Sequence, residues 1–191
     1  MDWDERYKSN DTPWNKFGPA PELVHFLDKN YVNGRVLVPG CGFGYDAADL
    51  AKSGQCRVMG LDISMTAIVE AHLRHQNVSQ LEFHQGDIFN PFPELINAFD
   101  WVFEHTCFCA IEPEQRRAYV DFVHDSLREG GHYLAIMFRD TGSEDGPPYS
   151  ISAEEVQELF GSRFKVEKQW EPETSFPGRE DSEFCWLMRK K

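Results

Sequence analysis

Hydrophobic positions along this chain fall into two patterns that take turns. Short apolar runs of strand length stand at "RVLV" (35–38), "CRVMGLDIS" (from Cys56), "LEFHQGDI" (from Leu81), "AFDWVFE" (from Ala98), "HYLAIMFR" (from His132), "FKVEKQW" (from Phe164) and "EFCWLMRK" (from Glu183). Between them apolar residues recur at spacings of three and four, the period of a helix with one buried face. Helices are expected at Tyr45–Lys52, ending at Gly54, at Met65–His75 with Ser64 as its cap, and in "SAEEVQELF" from Ser152. A further one begins with Pro113 and stops at the glycine pair Gly130–Gly131. Strands alternating with helices imply right-handed crossovers and a mostly parallel sheet covered on both faces. The last two strands follow each other with no helix between them, so one runs antiparallel. The expected fold is one α/β domain over 1–191: a doubly wound, seven-stranded, mostly parallel sheet with the last strand antiparallel. Residues 1–30 supply an aromatic N-terminal segment and a first helix. Ligands on such sheets bind beyond the carboxyl ends of the strands, where the strand order reverses.

The first strand runs into "PGCGFGYD" (39–46), whose glycines Gly40, Gly42 and Gly44 precede a helix. A glycine turn between strand and helix lets a ligand approach backbone that a Cβ would block. A dinucleotide site wants G-x-G-x-x-G with a pyrophosphate at the helix N-terminus. Here Tyr45 stands where the third glycine belongs, and Asp46 puts an anion in the first helical turn. Both features disfavour an NAD-dependent oxidoreductase. Asp62 ends the second strand, where a carboxylate can accept hydrogen bonds from ribose hydroxyls. Asp87, after the third strand, can meet an adenine edge together with the N–H of Ile88. Taken singly, either aspartate also serves as a turn former or cap.

In this order the glycine loop, Asp62 and Asp87–Ile88 resemble the nucleoside site of class I S-adenosylmethionine-dependent methyltransferases. Four stretches together resemble the thiopurine methyltransferase-like family, in particular its plant and bacterial thiol and halide methyltransferases: "LVPGCGFGYD", "TPWNKFGPAPEL" (12–23), "FDWVFEHTCFCAIEPEQR" (99–116) and "GPPYSIS" (146–152). The likeness runs from Trp3 almost to the C-terminus. It implies a Rossmann-like class I methyltransferase that uses S-adenosylmethionine and releases S-adenosylhomocysteine. The implied acceptor is a small soft nucleophile: a thiol, hydrosulfide, halide or thiopurine. Carried over by position, Trp3, Tyr7 and Trp14 enclose the cofactor, Gly40 contacts it, Asp62 holds the ribose and Asp87 with Ile88 the adenine. His105 falls beside the cofactor where relatives often have Tyr. Two departures stand out. Tyr7 replaces a frequent Trp, and Val38 replaces the acidic residue many superfamily members carry two positions before the first glycine, which removes a polar partner for the methionine end. Because these positions concern the cofactor alone, an O- or N-directed enzyme of the same fold and a non-catalytic cofactor-binding module remain alternatives.

Chemistry gives the aromatic residues a purpose. Aromatic faces attract a sulfonium by about 0.5–2 kcal/mol each. A segment bearing Trp3, Tyr7 and Trp14 can close over the site as a lid, or simply pin the N-terminus to the core. A soft anion needs no deprotonation, so alignment and desolvation carry the acceleration. Phe17 and the "CFCAI" stretch, including Phe108, are the expected walls, and Tyr149 is an expected lid residue. Arg179 either attracts an anionic acceptor or pairs on the surface. For an acceptor arriving as a thiol, His105 is the candidate base, with an ordinary pKa of about 6.5. Cys107 and Cys109, lacking a second pair, read as buried small hydrophobes, and no metal is expected. His72 and His75 read as a solvated helix face.

Composition then narrows the partners. A formal net charge of −13 argues against nucleic acid or an anionic membrane surface as the main partner, and the resemblance implies a small-molecule substrate. Five cysteines, an odd number without regular spacing, are no secreted disulfide framework. The charged opening "MDWDERYKSN" contains no apolar signal core, so a soluble, reducing compartment, the cytoplasm, is expected. The oligomeric state is left open.

Overall fold

The computed structural model describes residues 1–191 except Gly54, Ser143 and Glu144. Among the described residues, seven strands form one sheet: β1 (Gly34–Pro39), β2 (Cys56–Asp62), β3 (Leu81–Gln85), β4 (Phe99–His105), β5 (Leu127–Phe138), β6 (Phe164–Trp170) and β7 (Glu183–Lys190). Their order is β3-β2-β1-β4-β5-β7-β6. Neighbours from β3 to β5 pair in parallel, and β7 runs antiparallel to both β5 and β6. The helices are α1 (Trp3–Lys8), α2 (Pro21–Lys29), α3 (Tyr45–Lys52), α4 (Met65–His75), α5 (Arg116–Ser126) and α6 (Ala153–Phe160).

Side-chain alternation along the strands builds a core on each face. Leu37, Tyr133 and Ala135 pack with Tyr119 and Val123 of α5 and Phe160 of α6. Val36, Leu134 and Ile136 face the other way, toward Leu23 of α2, Leu50 of α3 and Ile68 of α4. Burying each such Leu, Ile or Val contributes about 1.5–3 kcal/mol, so the two-period pattern of the strands dictates the double winding. Ser64 and Ser152 cap α4 and α6 by accepting the N–H groups of Ala67 and Glu155, each at 3.1 Å.

The helix expected from Pro113 differs at both ends: Pro113–Gln115 form a separate 3-10 turn, and α5 begins at Arg116. The fifth helix stops at Ser126, and the next strand already begins at Leu127, before the glycine pair. Leu127 is fully buried, pairs with Phe99, and its carbonyl accepts a hydrogen bond from Lys190 Nζ at 2.8 Å. The glycines instead lie where the β4–β5 register shifts, with Gly130 at φ +72°; they serve a bulge, not a helix end. Gly54, the expected end of α3, lies outside the described residues.

The chain's order about β1 makes the rim. β2 and β3 lie to one side of β1 and β4 to the other, so the loops after β1 and β4 diverge there. Helix α1 is fastened over this rim: Asp4 Oδ1 accepts Ser64 Oγ at 2.7 Å and the Thr66 N–H at 2.9 Å. Lys8 pairs with the same carboxylate, and these contacts hold its pKa well below the usual carboxylate range. On the other side, buried Glu22 of α2 accepts Trp170 Nε1 and the Glu173 N–H, both at 2.8 Å, which ties down the segment leading from β6 to β7.

Candidate active site

A cavity of about 360 Å³ opens at this rim, and its lining runs from the glycine loop across β2 and β3 to the loop after β4. The glycine loop closes tightly because it has no side chains where it turns. Gly40 has φ +60°, and a Cβ there would stand 2.7 Å from Cys107 Sγ; Gly42 has φ +51°, and a Cβ there would meet Tyr7 Oη at 2.9 Å. Left-handed backbone and close neighbours both demand glycine. Asp62 binds two loops at once, accepting the Gly42 N–H through Oδ2 at 2.8 Å and the Ser64 N–H through Oδ1 at 2.9 Å. Burial pushes its pKa up while these donors pull it back. Each oxygen keeps a lone pair for a ligand hydroxyl. Asp87 uses Oδ1 to hold the Phe89 N–H at 2.8 Å, which fixes the turn that brings Ile88 to the cavity.

Aromatic side chains cover the opening. Trp14 Nε1 donates to Tyr7 Oη at 3.1 Å, and the Trp14 ring meets Trp3 and Tyr7 edge-on at 5.4 and 5.6 Å. The Arg6 guanidinium lies 4.4 Å from the Trp14 centroid, so this ring already holds a cation of the chain itself.

A buried charge cluster lies on the far wall. His105 Nε2 is 3.2 Å from Glu183 Oε1 and 3.0 Å from Arg179 Nη1, and Nδ1 is 3.7 Å from Asp46 Oδ2. Burial pulls the imidazole pKa down, but Asp46 and Glu183 outweigh it and push it up to about 9. The Arg179 guanidinium also stands 4.9 Å from the Phe138 ring and 5.6 Å from that of Phe176. Behind this wall Glu104 Oε2 accepts the N–H groups of Cys107 (3.2 Å) and Phe108 (2.9 Å), while Oε1 is buried without a hydrogen-bond partner. Burial pushes the Glu104 pKa up to about 7.

Trp3, Tyr7, Trp14, Gly40, Asp62 and Asp87 all line this one cavity, and so do Ile88, His105 and Arg179. Three expected wall or lid residues do not. Phe17 has left-handed backbone (φ +59°) and turns outward, 75 % exposed, while Lys16 and Gly18 line the cavity. Phe108 sits in a short 3-10 turn that sends its ring into the core, 5.2 Å from Tyr119, and leaves Cys107 and Cys109 facing the cavity. Tyr149 is drawn away by a hydrogen bond to Glu112, and the preceding Pro147 and Pro148 line the cavity in its stead.

Other expectations change as well. Arg179 is buried against Glu183, so it is no surface pair. Asp46 and Glu183 push the His105 pKa up to about 9, which favours its charged form over the neutral form that a base needs. His72 and His75 do not merely face solvent. They meet the carbonyls of Phe83 (3.1 Å) and Phe43 (3.0 Å), and the second contact braces the glycine loop. Asp46, Phe43, Phe176 and Glu183 join the site beyond the residues expected from sequence. The helix position of Asp46 just after the glycines was its only signal; Glu183 and Phe176 carry none that spacing reveals.

The family profile described as Thiopurine S-methyltransferase matches residues 1–183. The Arabidopsis thaliana protein named "Probable thiol methyltransferase 2" is 34 % identical over 162 residues, covering 83 % of this chain and 70 % of that protein. Thiocyanate methyltransferase 1 of the same plant is 33 % identical over 193 residues, 98 % of this chain and 84 % of that one. Among solved structures, the 1,6-didemethyltoxoflavin-N1-methyltransferase of Burkholderia thailandensis, with S-adenosylhomocysteine bound, superimposes with a TM-score of 0.76 at 17 % identity. It covers 98 % of this chain and 84 % of its own, a likeness of fold.

Proposed function

This chain belongs to the thiopurine S-methyltransferase family and methylates small nucleophiles with S-adenosylmethionine, and from that premise we propose that its acceptor is a small soft anion: thiocyanate, a halide, hydrosulfide or a thiolate. The lining fits the cofactor on its own terms. A turn of left-handed glycines at the cavity, a buried carboxylate at the end of β2 and an aromatic cover suit a ribose, an adenine and a sulfonium. Asp62 is assigned to the ribose hydroxyls, Asp87 and Ile88 to the adenine edge, and Trp3, Tyr7 and Trp14 to the enclosing cover. When bound, S-adenosylmethionine supplies a methyl on positive sulfur, which leaves as the acceptor's electron pair forms the new bond.

The observation that carries the choice of acceptor is Arg179, which lines the cavity beside His105 on a wall shared with Phe138, Phe176, Pro147 and Pro148. Arg179, and His105 in its charged form, favour an anion that arrives already deprotonated, and the apolar walls strip its water. No base is needed for such an acceptor. The chain's own cavity thiols stay out of the reaction: burial pushes the pKa of Cys41, Cys107 and Cys109 well above the ordinary range, so all three remain neutral. Neutral thiols are poor competitors for the methyl group.

The test is formation of S-adenosylhomocysteine against thiocyanate, iodide, hydrosulfide, an aromatic thiol and a thiopurine. Turnover of the anions is expected, with the thiocyanate rate steady from pH 6.5 to 8 and falling as pH rises through about 9 and His105 loses its proton. Thiocyanate and iodide do not titrate in that range, so the fall belongs to the enzyme. Turnover confined to neutral nitrogen or oxygen acceptors would overturn the reading. Tight S-adenosylhomocysteine binding with no turnover of any acceptor would favour a non-catalytic module.

A further inference from the structure

The amino-acid end of the cofactor carries an α-ammonium, and a dry cavity must neutralise it. Two positions before the first glycine, this chain has no acidic residue: Val38 is 4 % exposed and packs in the core. We propose that Asp46, in the first turn of α3, receives the ammonium of the methionine end, so that this duty moves from the end of β1 to the far side of the glycine loop. The proposal rests on the cofactor assignment above.

Four observations carry it. Asp46 lines the cavity next to the glycine loop, with its side chain 20 % exposed. Oδ1 accepts the Ala20 N–H at 2.6 Å, which fixes the carboxylate's orientation. Oδ2 has His105 Nδ1 as its cationic neighbour at 3.7 Å, beyond hydrogen-bond length, and among the described residues Asp46 pairs with no lysine or arginine. Of the other carboxylates nearby, Asp62 holds the Gly42 and Ser64 N–H groups, Asp87 the turn after β3, and Glu183 pairs with Arg179 and His105. Glu104, with its unpartnered Oε1, lies behind the wall and does not line the cavity. The anion that makes this loop a poor seat for a pyrophosphate is thus a prepared partner for an ammonium, through a charge-assisted hydrogen bond.

Calorimetry separates this role from a structural one. S-adenosylhomocysteine and its deaminated analogue, in which CH2 replaces CH–NH3+, are titrated into the wild type, Asp46→Asn and Ala20→Pro. The wild type is expected to prefer S-adenosylhomocysteine. Asp46→Asn should lose about 10- to 100-fold of its affinity for it and keep its affinity for the analogue within about twofold, the range of a charged hydrogen bond. Ala20→Pro removes the N–H that orients Asp46 but leaves its charge, at a position whose φ of −55° suits proline, and should narrow the preference without abolishing it. Equal losses for both ligands in Asp46→Asn, or none for either, would overturn the proposal. So would a preference that collapses in Ala20→Pro as well, because Asp46 would then act through the N-terminal segment. Should Asp46→Asn fail to fold, Asp46→Ser is read by the same ratio. A wild type that binds neither ligand would overturn the cofactor assignment itself, whereas a wild type that binds both equally would overturn the Asp46 proposal alone.

Discussion

Asp62 and Glu104 are both buried carboxylates that accept two backbone N–H groups or more, yet their surroundings set them different tasks. Asp62 spans two loops at the cavity, so Asp62→Ala removes a ribose partner and a loop brace together. Calorimetry should find S-adenosylhomocysteine bound more weakly by about 1.5–3 kcal/mol; an unchanged affinity would take Asp62 out of the site. Glu104 has one oxygen on the turn of Cys107 and Phe108 and the other without a partner. Its folded pKa, about 7, lies above its ordinary value of 4.5. The proton is therefore held more tightly in the folded state, and Glu104's contribution to stability is complete below about pH 4.5 and lost as pH rises through 7. Glu104→Gln keeps a carbonyl for both N–H groups and removes the buried charge. It should stabilise the protein by about 1–3 kcal/mol at pH 8 and by little at pH 4, measured by urea denaturation. Equal effects at both pH values would show that the charge is not what burial penalises.

At the scale of elements, α1 is the part that needs explaining. Six residues cannot hold a helix in water by themselves. Asp2 caps it, and Asp4 docks it on the start of α4, so its aromatic side chains are presented to the cavity by a contact outside the cavity. Asp4→Ala should speed hydrogen exchange over 3–8 and raise the dissociation rate of S-adenosylhomocysteine, while the far-wall residues are untouched. Unchanged exchange would mean that the aromatic contacts alone hold the helix. The glycine loop shows the same division of labour. Its tight path comes from the glycines, but His75 on α4 and Tyr7 on α1 brace it from outside.

For the molecule as a whole, the cavity draws together segments distant in sequence. The N-terminal 1–18, the rim loops and the approach to β7 all line it, and Glu22 and Asp46 tie these parts to one another. We propose that the chain unfolds as one cooperative unit. A ligand bridging such parts stabilises the fold by mass action, by about 2.7 kcal/mol at a hundred times its dissociation constant. Calorimetric scans should show one transition that S-adenosylhomocysteine moves up by roughly 5–10 °C. Two transitions, of which the ligand moves only one, would instead divide the chain into independent units. Among the described residues no helix is long and apolar enough to cross a membrane.

Local patterns were enough to determine the strands, most helices, the mixed sheet and the glycine loop with its two aspartates. Each depends on periodicity or on backbone conformation within a few residues. The same holds for the family, because its motifs are contiguous. The sequence misjudged features set by neighbours far along the chain. The glycine pair looked like a helix stop because its role in the β4–β5 bulge depends on a partner strand. Phe108 and Tyr149 looked like cavity residues because their true neighbours, Tyr119 and Glu112, belong to other segments. His105 looked like a base because the carboxylate of Glu183, 78 residues away, is invisible to spacing. Side-chain direction and charge environment come from packing across the fold, and so only the tertiary structure could decide that the site's histidine stands between two carboxylates and that Asp46 faces the cavity.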